Sequence, residues 1–130
     1  MAISELPILA MLRSRMLWGQ ERQRLLAENV ANADTPGFRP RDLAPLDVNR
    51  AMAAPVPLAL ARTNPGHLAG GASGVFRTES DTAYEIRPAG NGVSLEDEML
   101  KVAANQMDYQ AAASLYARSL ALFKTALGKR

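Results

Sequence analysis

Two stretches of the chain repeat their apolar residues at threes and fours, and the stretch between them does not. The later one is the more regular. Leu95, Met99, Val102, Gln106, Tyr109, Ala113, Tyr116, Leu120, Phe123 and Leu127 follow one another at unbroken spacings of four and three, a heptad seam with one polar member. Ser94 ahead of Asp97 gives a capping-box-like start. Glu96, Asp97 and Glu98 fill a first turn whose exposed N–H groups favour negative charge. Gly128, Lys129 and Arg130 suit a C-terminal end. The earlier stretch carries Leu9, Leu12, Met16, Gly19, Gln23, Leu26, Val30 and Ala33 at the same spacings, and stops where Pro36 forbids helical geometry at Thr35. The pattern predicts helices over about 6–33 and 94–128, about 1.5 Å per residue in rise.

Laid antiparallel, the seams match in one register: Val30 on Met99, Leu26 on Val102, Gln23 on Gln106, Gly19 on Tyr109, Met16 on Ala113, Leu12 on Tyr116 and Leu9 on Leu120. The two polar seam residues then meet, and the lone glycine lies opposite a tyrosine. Gly19 costs a helix interior about 1 kcal/mol relative to alanine, which points to the close approach of a bulky neighbour. The second helix is also apolar away from its seam, at Leu100, Ala104, Met107, Ala111, Leu115, Ala121 and Leu122. Between Val102 and Phe123 only Asp108 and Arg118 carry charge. A helix apolar nearly all round is buried on several sides, so other molecules are expected to cover this face.

The intervening residues, about 34–93, are rich in Pro and Gly and lack periodicity. They offer a short helix over Leu46–Met52, a helical turn from Thr63-Asn64-Pro65 to Leu68, and a flexible connector over Gly70–Gly74. A small β-hairpin pairing Val75–Thr78 with Ala83–Arg87 completes the reading. The expectation is a single, mainly α domain over residues 1–130: long terminal helices in an antiparallel coiled-coil-like pair, joined by an irregular middle.

Composition removes most chemistry from consideration. The chain has 130 residues, 48% of them hydrophobic, 5% aromatic and none cysteine, so disulfides and thiolate sites are excluded. Its net charge of +2 comes with scattered arginines, not the concentrated basic patch that nucleic acid requires. His67 is the only histidine, which excludes a histidine metal cluster and leaves a catalytic triad nothing but a lone imidazole in a Pro-Gly segment. Asp42, Asp47, Asp81 and Glu85 lack metal-ligand spacing. Gly70, Gly71 and Gly74 lack the lysine and the strand-to-helix setting of a phosphate loop. Tyr109, Tyr116 and Phe123, seven apart, read as packing residues. No cofactor, catalytic residue or metal site is expected. The start MAISELPILAMLR has Glu5 where a secretory signal carries basic residues, and the apolar run over 51–61 is too short to span a bilayer.

The stretch RQRLLAENVANADTPGF, Arg22–Phe38, resembles the N-terminal signature of the flagellar rod and hook family: a helix ending in an Asn-Ile-Ala-Asn-like run, then a Thr-Pro-Gly turn and an aromatic residue. The matching residues are Gln23, Leu26, Asn29, Val30, Ala31, Asn32, Thr35, Pro36, Gly37 and Phe38. Arg39–Leu43, Arg62–Leu68 and Gly90–Met99 are similar to the short proximal-rod members of that family. Val30 replaces a commoner isoleucine, and Gly92 and Ser94 stand where bulkier or acidic residues are frequent.

This resemblance implies a structural subunit exported through the flagellar type III apparatus without a cleaved signal. It would polymerise through its terminal helices into the torque-transmitting proximal rod around the export channel, within the cell envelope. Its partners would be other copies of itself, neighbouring rod proteins, and the rod adaptor, export-gate and inner-membrane-ring proteins, with no nucleic acid and no direct membrane insertion. Leu100, Met107, Leu115 and Leu122, with Gln106, Tyr109, Tyr116 and Phe123, are the expected assembly and packing residues. The alternatives are another rod protein of the family, or a soluble helical export chaperone or regulator.

Overall fold

Pro7 opens the first helix, where its missing N–H costs nothing and its fixed φ suits the first turn. The computed structural model describes residues 7–47, 64, 76–81 and 85–128. Within them α1 spans Pro7–Ala31 and α2 spans Leu95–Ala126, with two three-residue strands between, β1 at Arg41–Leu43 and β2 at Thr78–Ser80. The chain is thus mainly helical with a small antiparallel two-stranded sheet. No described helix is long and apolar enough to cross a membrane.

The helix ends follow from the residues at them. The last turn of α1 continues through Asn32 N–H on the Glu28 carbonyl at 3.1 Å and Ala33 N–H on that of Val30 at 3.2 Å. The chain then reverses through Gly37, whose φ of 72° is the left-handed conformation that glycine adopts without strain. At the start of α2, the Ser94 hydroxyl accepts the Asp97 N–H at 3.4 Å, and Glu96, Asp97 and Glu98 occupy the first turn. Thirty-two residues at about 1.5 Å each make α2 about 48 Å long.

The helices run antiparallel along each other: Asn29 bonds Glu98, Gln23 bonds Asn105, and Arg15 bonds Asp108. On α1 the expected seam is the face turned inward, with Leu9, Leu12, Gly19 and Leu26 buried. On α2 the inward face differs from the expectation. Val102, Tyr109, Ala113, Tyr116, Leu120 and Phe123 of the expected seam are half-buried, but the fully buried residues of α2 are Glu98, Asn105 and Ala112, with Ser119 half-buried in line with them. Leu95, Met99, Gln106 and Leu127 are exposed. The register along the axis is the expected one at Gly19, which faces Tyr109. Gln23, however, meets Asn105 and not Gln106. The expected register paired the amides of Gln23 and Gln106, but Gln23 takes the Asn105 amide one residue earlier, and Glu98 is inside in place of Met99 because Asn29 and Lys101 bond it.

The strands also pair otherwise than expected. Arg41 lies opposite Ser80, Asp42 opposite Glu79 and Leu43 opposite Thr78. Flanking bonds from Ala44 N–H to the Arg77 carbonyl at 2.9 Å and from Asp81 N–H to that of Pro40 at 3.0 Å extend the ladder. Thr78 therefore pairs with a segment beside α1, and Glu85–Arg87 is not a strand. Thr78-Glu79-Ser80 has no apolar alternation to mark it, so its long-range partner left no local sign. Ala83 and Tyr84 of the expected hairpin lie outside the described residues, as do the Gly70–Gly74 connector and most of the short helices expected around Leu46–Met52 and Thr63–Leu68.

The buried apolar set is small: Leu9, Leu12, Leu25 and Leu26 from α1, Leu43 from β1, Val93 before α2, and Ala112 within it. A β-carbon at Gly19 would meet Tyr109 Cδ2 at 3.5 Å and Asn105 Oδ1 at 3.6 Å, ordinary van der Waals separations. Gly19→Ala is therefore accommodated and should stabilise the helix pair by about 0.5–1 kcal/mol through helix propensity. Gly19→Leu should cost about 1–3 kcal/mol by overpacking against Tyr109. Urea unfolding of the two variants, followed by circular dichroism, measures both.

Candidate functional site

The family-like motif at the end of α1 folds into a clamp on the segment that leads into α2. Asn29 and Asn32, three residues apart, stand on neighbouring faces of the last helical turns. The Asn29 side-chain N–H₂ donates to the Arg41 carbonyl and to Glu98 Oε2, both at 2.8 Å, while its Oδ1 accepts the Arg41 N–H at 3.0 Å. One side chain thus ties α1 to β1 and to the first turn of α2. Asn32 serves the turn itself: its amide donates to the Glu28 carbonyl at 2.8 Å, and its Oδ1 accepts the Thr35 hydroxyl at 3.1 Å.

Asn91 closes the clamp from the other side. Its amide donates to the backbone carbonyls of Asn32 at 2.9 Å and Thr35 at 2.7 Å, and its Oδ1 accepts the Val93 N–H at 2.8 Å. Main-chain bonds run beside it, from Gly37 N–H to the Ala89 carbonyl at 3.0 Å and from Gly92 N–H to that of Phe38 at 3.1 Å. Gly90, at φ 79°, brings its own backbone against Gly37, where a β-carbon would sit 3.4 Å from Gly37 Cα. The positive φ at both places, 72° and 79°, is what calls for glycine, and an added β-carbon at Gly37 would meet nothing within 4 Å.

Glu98 is 2% exposed, yet it is fully engaged: Asn29 holds one carboxylate oxygen, and Lys101 Nζ holds the other at 2.8 Å. Lys101 also bonds Asp81, which follows β2. Burial by itself would lower the Lys101 ammonium, but its bonds to Asp81 and Glu98 together hold it above the ordinary lysine range. Seven residues on, Asn105 is equally buried. Its amide donates to the Gly19 carbonyl at 2.9 Å and to Gln23 Oε1 at 3.0 Å, and its Oδ1 has no partner among the described residues. An unpaired buried oxygen costs about 1–3 kcal/mol.

A second link joins α1 to β1. Arg22 bonds both Asp42 oxygens, at 2.8 and 2.6 Å, and its guanidinium lies 5.2 Å from the centre of the Trp18 ring. Trp18 Nε1 in turn donates to the Ala44 carbonyl at 3.0 Å. Burial alone would raise the Asp42 carboxyl, but the Arg22 bonds and the Leu43 N–H outweigh it and hold the group below the usual carboxylate range.

The expected assembly residues divide between two faces. Leu100, Met107, Leu115 and Leu122 are 70%, 66%, 50% and 67% exposed, and Gln106 is exposed beside them. Tyr109, Tyr116 and Phe123 are half-buried toward α1. Of the motif residues, Gln23, Leu26, Asn29 and Val30 line the inner face of α1, whereas Thr35, Pro36, Gly37 and Phe38 form the turn. The roles of Asn105, Arg22, Asp42 and Trp18 were not apparent from spacing. Glu98 had shown only its position at a helix start. Among the described residues no group of three or more His, Cys, Asp or Glu side chains is placed to hold a metal.

Two long helices held by a polar clamp, with an apolar outer face on the second, make up most of the described residues. No family model matches the chain. Curated relatives, however, are clear. The flagellar basal body rod protein FlgB of Agrobacterium fabrum is 33% identical over 102 residues, 75% of this chain and 75% of the relative. FlgB of Yersinia enterocolitica is 34% identical over 69% of this chain and 71% of its own length, and that of Escherichia coli K12 is 32% identical over 69% and 70%. The chain belongs to the FlgB family of flagellar basal body rod proteins.

Two outcomes test the clamp. Asn91→Ala removes three hydrogen bonds and strands the buried Val93 N–H, while the Asn32 and Thr35 carbonyls keep the Thr35 and Phe38 N–H groups, and should destabilise the chain by about 1–3 kcal/mol. This is measurable by thermal unfolding. For Asp42 the folded carboxyl lies below its unfolded value of about 3.9. Its contribution is therefore complete above that value and is lost as pH falls through the folded one. Asp42→Asn should lower the urea midpoint at pH 7, and the two proteins should converge well below pH 4.

Proposed function

We propose that this rod component is a subunit of the proximal rod, exported through the type III apparatus without signal cleavage. It is built into the rod by its terminal helices. In this reading α1 and α2 form a coiled-coil-like pair within each subunit, over a single domain. The outer face of α2 packs on neighbouring copies and on other rod, adaptor, export-gate and inner-membrane-ring proteins. The subunit transmits torque around the export channel inside the envelope, and it performs no catalysis.

The observation that supports this reading is the outer face of α2. Leu100, Met107, Leu115 and Leu122 are each at least half exposed on a helix about 48 Å long. Asp108 and Arg118 are the sole charged residues between Val102 and Phe123. Asp108 is drawn to one side by Arg15, at 3.0 Å. An apolar strip of that length marks a contact surface, and the relatives' shared description as basal body rod proteins supplies the assembly in which it is covered.

Met107→Asp or Leu115→Asp should abolish rod assembly and swimming when introduced into the chromosomal copy. The isolated variants should keep their helix content, and their unfolding free energy in urea to within about 0.5 kcal/mol, as exposed substitutions do. Normal motility in both variants, or collapse of the isolated chains, counts against this surface as the assembly face.

A further inference from the structure

The second helix contains two overlapping heptad seams, and the structure uses the more polar one. Both share the row Val102, Tyr109, Tyr116 and Phe123. One seam adds Met99, Gln106, Ala113 and Leu120. The other adds Glu98, Asn105, Ala112 and Ser119, each the residue immediately before its counterpart. Because the added rows are one residue apart, exchanging the seams turns the helix about its axis by roughly half of the 100° between consecutive residues.

Burial of apolar area alone favours the first seam, with a methionine and a leucine where the second has glutamate and serine. The structure adopts the second from Glu98 to Ala112, and beyond it Ala113, Ser119 and Leu120 are alike half-buried. Glu98 and Asn105 are each 2% exposed, whereas Met99 is 62% exposed. What distinguishes the two faces is hydrogen bonding across the interface. Glu98 receives Asn29 and Lys101, and Asn105 donates to the Gly19 carbonyl and Gln23. Buried polar residues in helix interfaces are best attested as devices that select one pairing over others at a cost in stability. Asn105 Oδ1, without a partner among the described residues, is consistent with such a cost.

We infer that Glu98 and Asn105 are positioning residues that set the rotation of α2 on α1 and thereby hold Met99, Leu100 and Met107 outward. In the alternative rotation the Met99–Gln106 row turns toward α1, and the outer strip is displaced from the direction it now faces. The rotation itself stands on the contacts above. Its consequence for rod building rests on the assembly reading of the outer face.

The chain has no cysteine, so a single introduced thiol reports the rotation. In full-length protein carrying Met99→Cys, maleimide labelling should run near the rate of the urea-unfolded chain. Adding Glu98→Ala with Asn105→Ala, which removes the cross-interface bonds and leaves the Met99–Leu120 row the more apolar of the two, should slow it by about tenfold as the position becomes protected, with helix content by circular dichroism maintained. Should the double variant fail to fold, Asn105→Ala alone, which leaves the Glu98 contacts in place, decides through a smaller slowing of the same sign. Unchanged or faster labelling in the folded variant overturns the inference. In cells, the rotated variant should lose rod assembly although it carries every residue of the outer strip. Assembly that survives, together with slowed labelling, would retain the rotation and reject the outer face as its purpose.

Discussion

A carboxylate removed from water must be met by donors, and most of this structure is arranged around meeting one. Glu98 sits in the first turn of α2, where the helix dipole and the free N–H groups already favour it. Its depth, though, demands more than the helix end supplies. Asn29 reaches it from α1, and Lys101 reaches it from one turn further along α2. Because Asn29 also holds both backbone groups of Arg41, and Lys101 also holds Asp81, the two donors fasten β1 and the end of β2 to the same point. Removing one partner of such a cluster strands the others, so the Glu98 contacts stand or fall together.

The consequence is a subunit whose internal order is carried by polar contacts while its apolar surface faces outward. Among the described residues, seven buried apolar side chains make a modest core for two helices of this length. The Asn91 clamp, the Arg22–Asp42 pair and the Asn105 contacts fix geometry where apolar packing is thin. They also leave leucines and methionines free along the outer side of α2. A subunit that spent those side chains on its own interior would have none to offer a neighbour, so the same economy of core that limits the isolated chain suits a component of a larger assembly.

The sequence showed some of this plainly. The two helices, the stop at Thr35-Pro36-Gly37, the Ser94 cap, the inward face of α1 and the meeting of Gly19 with Tyr109 all follow from periodicity and from backbone rules that act over a few residues. The inward face of α2 was misread because its half-row of Glu98 and Asn105 is polar, and a pattern sensitive to apolar residues cannot see a hydrogen bond to a helix distant in sequence. β2 was missed for a related reason. Thr78-Glu79-Ser80 is polar throughout, and its partner at Arg41–Leu43 lies more than thirty residues earlier, across the long Pro- and Gly-rich middle. The resemblance located the motif but did not disclose that Asn29, Asn32 and Asn91 work as one clamp.

The central claim is that polar pairing, not apolar matching, decides which side of α2 faces α1. A density map of the assembled basal body that resolves side chains tests it most directly. The account predicts Glu98 against Asn29 and Asn105 against Gln23 within each subunit, with Met107 and Leu115 covered by a neighbour. Gln106 turned onto Gln23, with Met99 packed against α1 and Asn105 facing outward, would contradict it.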